Sequence, residues 1–272
     1  MGRYDSSRTR VAPLFDALLA RDYSGHSWLD PLLALGSRSE TIATIAKGQR
    51  LVTNHGPRWG DFEAKLPAPA SLLEHLVRNL DPKLVEESRD RGDTRVRRLA
   101  LANRDQATIE LALAKLRSGV RGRRWFVLEG ESRPDALLEA RDLVLCIEGK
   151  RTEMGCTTYT NWMPRRSQLL RHMDAALDAF PKKRVLGLLI VEGDGGADAC
   201  SPSPFWMNEC SAQHEQSMLN DSLPHRTSSD RNRIADGVLG VTTWQAMCAA
   251  ISVCWSSLPS TRPRVTSFKT RA

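Results

Sequence analysis

Apolar residues recur at helical spacing in two segments of the central part of the chain. Residues 105–116 and residues 164–180 each place apolar side chains so that they share one face of a helix. These side chains are Ile109, Leu113 and Leu116 in the first segment, and Leu169, Met173, Leu177 and Phe180 in the second. Pro164 suits a helix start, and Pro181 ends the second segment because proline lacks an amide hydrogen. The spacing predicts two helices that each bury one face.

Between and after these helices, the apolar pattern changes to that of strands. The run from Arg124 to Leu128 is rich in β-forming residues and is followed by a turn-like Glu-Gly pair. Residues 136–138 and 142–148 predict a second and a third strand. The unbroken apolar run of residues 184–191 is typical of a strand whose sheet is covered on both faces.

The flanking regions carry weaker patterns. Residues 1–100 are predicted to be mostly helical, and a Gly/Pro/Ser-rich break over residues 193–204 marks the exit from a core of residues 101–195. Residues 196–272 are then expected to form a C-terminal helical extension and a loose basic tail. Within that extension, residues 231–255 are interpreted as one or two helices around two glycines.

Charged side chains are concentrated at the end of the predicted third strand. Positions alternate from Asp142 to Lys150, so Glu148 and Lys150 leave the same face, roughly 7 Å apart along the strand. Asp135 precedes the second strand and is the natural second carboxylate. Two carboxylates and an ammonium group at one strand end are able to hold a divalent metal and an attacking water together. A simpler interpretation is a surface turn at Pro134 and Asp135, with a strand-end lysine that extends into water.

Pro134, Asp135, Glu148 and Lys150 resemble the signature of the PD-(D/E)xK nuclease superfamily. The resemblance implies an α/β fold: a restriction-endonuclease-like mixed sheet flanked by helices. It also implies the order helix, three antiparallel strands, helix and strand, which the predicted elements follow over roughly residues 104–192.

Two further residues fit the wider family. Glu110 lies on the first helix, where many members place an additional acidic residue facing the metal, although a solvated helix glutamate fits equally well. Gln168 stands four residues before His172, so both share a helix face. RecB-like members often carry Gln followed four residues later by Tyr, and His172 departs from that pattern. We interpret His172 as a surface or satisfied core residue.

By this resemblance, Asp135 and Glu148 are expected to bind Mg²⁺, for which Mn²⁺ is an acceptable substitute. The metal would lower the pKa of a bound water and neutralise charge on the phosphate oxygens. Lys150 would contact the water and the phosphate. Asp135, Glu148, Lys150, Gln168 and Glu110 form the expected catalytic set, and the product would carry a 5′-phosphate.

Charge and composition favour a polyanionic partner. The formal net charge is +7 and the pI is about 9.3. One arginine cluster precedes the predicted core, a second opens its first strand, and a third lies in the first turn of the helix after Lys150. The residues expected to contact nucleic acid are Arg121, Arg123, Arg124, Arg165 and Arg166. Each cluster alone is equally compatible with a solvated basic face.

The sequence favours a cytoplasmic protein without a membrane segment, because no apolar run is long enough and the six cysteines are irregularly spaced. Homo-oligomers are compatible with it. The predicted function is a Mg²⁺-dependent endodeoxyribonuclease in defence, restriction or repair. The alternatives are a catalytically silent member of the fold that binds nucleic acid or protein, and a scaffold with no nucleic-acid role.

Overall fold

The computed structural model describes residues 6–36, 48–52, 58–59, 64–153, 155 and 160–260. Most of the predicted basic tail lies outside these residues. Across the described part of the chain, we find no helix that combines the length and the apolar character needed to cross a membrane.

Five strands form one mixed sheet, and their spatial order follows their order in the chain. They are β1 (Arg58–Trp59), β2 (Ala136–Glu139), β3 (Leu143–Lys150), β4 (Arg184–Val191) and β5 (Val238–Thr243). β1, β2 and β3 are antiparallel neighbours, whereas β3, β4 and β5 run parallel to one another. The carboxyl ends of β3 and β4 therefore meet at one end of the sheet, where Lys150 pairs with Val191.

Helices cover both faces of the sheet. A short π-helical segment (Ser7–Val11) precedes the α-helices. The α-helices are α1 (Ala12–Arg21), α2 (Leu29–Ala34), α3 (Ala70–Asn79), α4 (Pro82–Glu87), α5 (Gly92–Ala102), α6 (Gln106–Arg117), α7 (Gln168–Ala179), α8 (Pro204–Ala212), α9 (Gln216–Ser222), α10 (Ser228–Asp236) and α11 (Trp244–Ala250). Leu145 and Ile147 pack with α1, α2 and α11, while Val144 and Cys146 on the opposite face pack with α7 to α10. All eight residues of β3 are consequently buried.

Helices α3 to α6 form a separate hydrophobic cluster that contains no strand residue among those described. Phe126 and Leu128 are buried in this cluster instead of belonging to the sheet. The predicted strand at residues 124–128 is therefore wrong, and the two-residue β1 pairs with β2 in its place. The four-residue apolar run of residues 125–128 fits a helix-packing loop as well as a strand, and hydrophobicity alone does not separate the two.

Two other predictions about helices need correction. Helix α7 begins at Gln168, with the Ser167 side chain accepting a hydrogen bond from the Leu170 amide, so Arg165 and Arg166 precede the helix. The C-terminal extension is not purely helical, because β5 lies between α10 and α11. β5 carries a register shift against β4 and has Gly240 at φ 120°, a backbone conformation that favours glycine.

The hydrophobic cores cross the predicted boundaries at residues 100 and 195. Phe15 of α1, Ile147 of β3 and Trp244 of α11 share one cluster on the first sheet face. On the second face, Cys146 and α7 pack with Ile234 of α10. The N- and C-terminal regions therefore complete the layers around the sheet.

Candidate active site

The strand register brings Asp135 and Glu148 to the same end of the sheet. Ala136 pairs with Ile147 in the antiparallel β2–β3 ladder, so the next position along each strand joins Asp135 and Glu148. Asp135 Oδ2 accepts a hydrogen bond from the Gly149 amide at 2.8 Å. Its Oδ1 accepts one from the Ser7 hydroxyl at 2.5 Å. Asp135 is partly exposed, whereas Glu148 is buried.

Lys150 lies against Glu148, as the alternation along β3 predicts. Its Nζ is 2.8 Å from Glu148 Oε1 and donates to Gln168 Oε1 at 2.8 Å. Gln168 is the first residue of α7, the helix that connects β3 to β4, which explains its position over the end of β3. The structure thus brings together four of the five residues that were predicted to be catalytic.

His172 contacts this group directly. Its Nε2 lies 2.9 Å from Glu148 Oε2, and its Nδ1 lies 2.6 Å from the Ser132 hydroxyl oxygen. Both His172 and Ser132 are 1% exposed. The interpretation of His172 as a surface or satisfied core residue agrees with its burial and its two hydrogen bonds, but it did not include a contact with Glu148. The four-residue spacing was the available signal, and the contact with Glu148 requires the fold.

The two carboxylates differ in charge state. Burial raises the pKa of Asp135 to about 7, with a further contribution from the negative charge of Glu148. Burial also acts to raise the pKa of Glu148, but hydrogen bonds and charge from His172 and Lys150 outweigh it, and this pKa is lowered. For Lys150, burial opposes the charged form, but Glu148 outweighs it and the pKa is raised. An ionised Glu148 and a protonated Lys150 therefore form a stable pair, and Asp135 adds a second negative charge only as the pH rises through about 7.

This donor set fits Mg²⁺ as a partly hydrated ion. Magnesium binds oxygen, keeps several waters, and is commonly held by one or two carboxylates together with substrate phosphates. Asp135 and Glu148 supply two carboxylates whose mutual repulsion a cation would relieve. Within the described residues, no group of three or more His, Cys, Asp or Glu side chains is arranged to hold a metal ion.

Gly149 allows this close packing. A Cβ atom at this position would lie 2.7 Å from the ring of Trp244 and 3.2 Å from Asp135 Oδ2. The indole nitrogen of Trp244 donates to the Lys150 carbonyl at 3.2 Å. Trp244 is fully buried and supports the end of β3 from the other face. Neither Gly149 nor Trp244 belongs to a sequence pattern that marks it as part of the site.

Glu110 does not join the site. It is exposed on α6, where its carboxylate accepts a hydrogen bond from Gln106, and the buried face of α6 packs in the separate helical cluster. The prediction that Glu110 faces the metal is therefore not supported by its contacts, which are those of a solvated helix residue.

The predicted nucleic-acid-binding arginines are in different environments. Arg166 is fully buried and its Nη2 lies 2.5 Å from Asp174 Oδ2, so it is unable to contact a phosphate and that assignment is wrong. Arg165 is exposed, with a long 3.7 Å contact to Asp221. Arg121 donates to the main-chain carbonyls of Leu116, in the last turn of α6, and of Val120, and Arg123 and Arg124 are exposed.

Two arginines that the sequence analysis did not select lie beside the site. Arg10 and Arg151 both bind Glu192, with contacts of 2.8 Å and 2.6 Å. The Glu192 amide donates to the Lys150 carbonyl, so this group adjoins the end of β3. Glu192 therefore pairs with two arginines beside the end of β3, and Glu153 adds a second carboxylate there, which accepts from the Arg151 and Thr152 amides.

Comparisons of this chain with models of protein families, with curated proteins and with solved structures find no match. The geometry of the site is accordingly the basis for assigning a function.

Proposed function

We propose that this protein is a Mg²⁺-dependent nuclease that hydrolyses phosphodiester bonds in DNA. The observation that carries the proposal is the convergence of Asp135, Glu148, Lys150 and Gln168 at one end of the sheet. These are the residues in which the sequence resembles the PD-(D/E)xK superfamily. Their contacts join the residue before β2, the end of β3 and the start of α7, and a motif counts as a site only when the fold brings its residues together in this way.

The topology supports a restriction-endonuclease-like core. Three antiparallel strands, a connecting helix and a fourth strand parallel to the third occur as β1, β2, β3, α7 and β4. The order departs from the expected one at its start, because helices α3 to α6 lie between β1 and β2 in the chain. The helix expected before the first strand therefore has no direct counterpart in α6.

Each side chain has a role that its contacts allow. Asp135 and Glu148 would hold Mg²⁺, which when bound activates water and neutralises developing charge on the phosphate. Lys150 is held by Glu148 and Gln168 with its charge at the carboxylate pair, where it would stabilise the hydroxide and the five-coordinate phosphorus. Water oxygen forms a bond to phosphorus and the water proton passes to solvent, while the bond from phosphorus to the 3′ oxygen breaks and the 3′ oxygen takes up a proton from solvent. The products are a 5′-phosphate and a 3′-hydroxyl.

One observation favours the alternative of a catalytically silent domain that binds nucleic acid. Both carboxylate oxygens of Glu148 already have partners, Lys150 on Oε1 and His172 on Oε2. A fully paired glutamate is compatible with a purely structural cluster. Each carboxylate oxygen has two lone pairs, however, so these bonds leave acceptor capacity for a metal.

The experiment is a cleavage assay on plasmid, linear and single-stranded DNA, with and without Mg²⁺. We expect metal-dependent cleavage by the wild-type protein, its loss in Asp135→Asn, and its retention in Glu110→Gln, the matched control with an exposed carboxylate. DNA binding without cleavage under every metal condition would favour the silent domain. Equal cleavage by wild type and Asp135→Asn would point to a contaminating nuclease.

A further inference from the structure

A chain of hydrogen bonds joins Glu148 to the segment before β2 through an imidazole. Glu148 Oε2 is 2.9 Å from His172 Nε2, and His172 Nδ1 is 2.6 Å from Ser132 Oγ. None of the three side chains is more than 3% exposed. The candidate metal ligand Glu148 is thus connected through His172 of α7 to the loop that precedes Asp135.

The direction of these bonds follows from the groups. An ionised carboxylate only accepts, so His172 Nε2 carries the hydrogen that is shared with Glu148. Ser132 is itself fixed by two main-chain hydrogen bonds with Leu66, at 2.7 Å and 2.9 Å. The serine hydroxyl faces Nδ1 and holds the plane of the ring. The imidazole is therefore presented to Glu148 in one orientation.

We propose that His172, oriented by Ser132, is a positioning residue that fixes how Glu148 presents its carboxylate to the metal. His172 holds Oε2, which leaves Oε1, the oxygen in contact with Lys150, directed to the reacting groups. The catalytic meaning of this arrangement rests on the proposed nuclease function. Groups that orient a metal ligand typically change metal affinity or activity by about 10- to 100-fold when they are removed.

The chain offers a graded set of variants. His172→Gln keeps an N–H group at about the reach of Nε2, His172→Leu removes it at similar volume, and Ser132→Ala keeps the ring but removes its support. His75 on α3 is hydrogen-bonded to Asn79 near the surface, outside the site, so His75→Leu is the matched control.

The measurements are Mn²⁺ affinity by electron paramagnetic resonance, cleavage rate at saturating metal, and the thermal midpoint. We expect Mn²⁺ binding to weaken by about 10- to 100-fold in His172→Leu, to recover substantially in His172→Gln, and to weaken less in Ser132→Ala. His75→Leu should bind Mn²⁺ as the wild type does. Recovery by glutamine separates positioning from simple packing, because leucine fills the space equally well.

The outcomes test the positioning role of His172 and the proposed nuclease function separately. A folded His172→Leu with wild-type Mn²⁺ affinity and wild-type cleavage would overturn the positioning role and leave the nuclease intact. Wild-type protein that binds Mn²⁺ but cuts no DNA would overturn the nuclease, while the order of affinities among the variants still decides the role of His172. Wild-type protein that binds no Mn²⁺ would overturn both. Should His172→Leu not fold, the order of wild type, His172→Gln and Ser132→Ala decides.

Discussion

Helix α7 contributes to two buried ionic clusters that differ in their charge balance. His172 takes part in the Asp135, Glu148 and Lys150 cluster, whereas Asp174, two residues later, lies in a second cluster. Around Asp174, Arg166 and Arg226 contact its carboxylate, and each also contacts a second carboxylate, Glu129 for Arg166 and Asp178 for Arg226. In the first cluster two carboxylates share a single ammonium group.

The pKa directions follow this balance. Burial acts to raise the pKa of Asp174, but His225, Arg166 and Arg226 outweigh it and the pKa is lowered. The pKa of Asp135 is raised to about 7 by burial and by Glu148. A buried cluster that is fully matched in charge is suited to holding elements together, and one with an unmatched carboxylate is suited to binding a cation. We therefore regard the Asp174 cluster as structural and the Asp135 cluster as functional.

The largest effect should come from breaking the matched cluster. Asp174→Ala leaves the fully buried Arg166 without its closest partner, and removing one member of a buried ion pair typically costs about 3–5 kcal/mol of unfolding free energy. Denaturant unfolding measures this loss. The folded fraction of the variant should retain wild-type Mn²⁺ affinity. A large loss of metal affinity in folded Asp174→Ala would show that the two clusters act as one.

Removing Lys150 should reduce cleavage about 10²- to 10³-fold and leave Mn²⁺ binding largely intact, because its proposed work is on the transition state. Asp135→Ala and Glu148→Ala should lose both cleavage and Mn²⁺ binding, because these residues are proposed metal ligands. Initial cleavage rates and metal titrations test this order. Lys115→Ala, on the exposed side of α6, is the control. Cleavage at the wild-type rate by Lys150→Ala would contradict the catalytic role of Lys150 and would favour the alternative of a catalytically silent domain.

The third prediction concerns pH. The folded-state pKa of Asp135, about 7, lies above the ordinary value of 3.8, so the folded protein binds this proton more tightly than the unfolded chain does. Without metal, the contribution of Asp135 to stability is full below about pH 4 and is lost as the pH rises through 7. The loss should be on the order of a few kcal/mol. Because Mg²⁺ competes with the proton, the stabilisation by Mg²⁺ should be larger at pH 8 than at pH 6.

Thermal midpoints at both pH values, with and without Mg²⁺, test this prediction. Asp135→Asn has no such proton, so subtracting its pH dependence isolates the effect of Asp135 from that of other groups. If Mg²⁺ raised the thermal midpoint equally at pH 6 and pH 8, Asp135 would not carry the unmatched negative charge by which its cluster differs from the Asp174 cluster.

Strands with a strong local pattern could be predicted from the sequence, and those stabilised by the rest of the molecule could not. β3 and β4 are long, apolar and bounded by turn residues, so their existence and approximate ends follow from hydrophobicity. β1 has only two residues and exists because β2 pairs with it. β5 is an apolar run between two helices, which periodicity alone does not separate from a helix.

The candidate site divides in the same way. Asp135, Glu148, Lys150 and Gln168 are within one short stretch of the chain, where strand alternation and a motif make them visible. Ser7 reaches Asp135 across 128 positions of sequence, and no spacing rule links such residues. The burial of Arg166 depends on Asp174 and on elements much later in the chain. The sequence around Arg165 and Arg166 therefore predicted two exposed arginines, whereas only Arg165 is exposed.

The smallest expected effect concerns the surface arginines. Arg123, Arg124 and Arg165 are exposed, so they are free to approach phosphates, whereas Arg166 is not. Replacing Arg123 and Arg124 by Gln should weaken DNA binding severalfold and about equally for all sequences, because phosphate contacts position the protein without specifying bases. If both contact phosphates, the slope of log affinity against log salt should decrease by about 2.

Fluorescence anisotropy with two unrelated duplexes over a range of salt concentrations measures both quantities. The matched control is the double variant Arg78→Gln and Lys83→Gln, which removes the same charge from exposed positions on α3 and α4. If control and test variants lose affinity equally, only the net charge of the protein matters. An effect confined to one duplex would show that Arg123 and Arg124 read bases. Arg166→Gln should differ from both double variants, because Arg166 is buried in the Asp174 cluster. This variant should lower the unfolding free energy and leave the slope of log affinity against log salt unchanged.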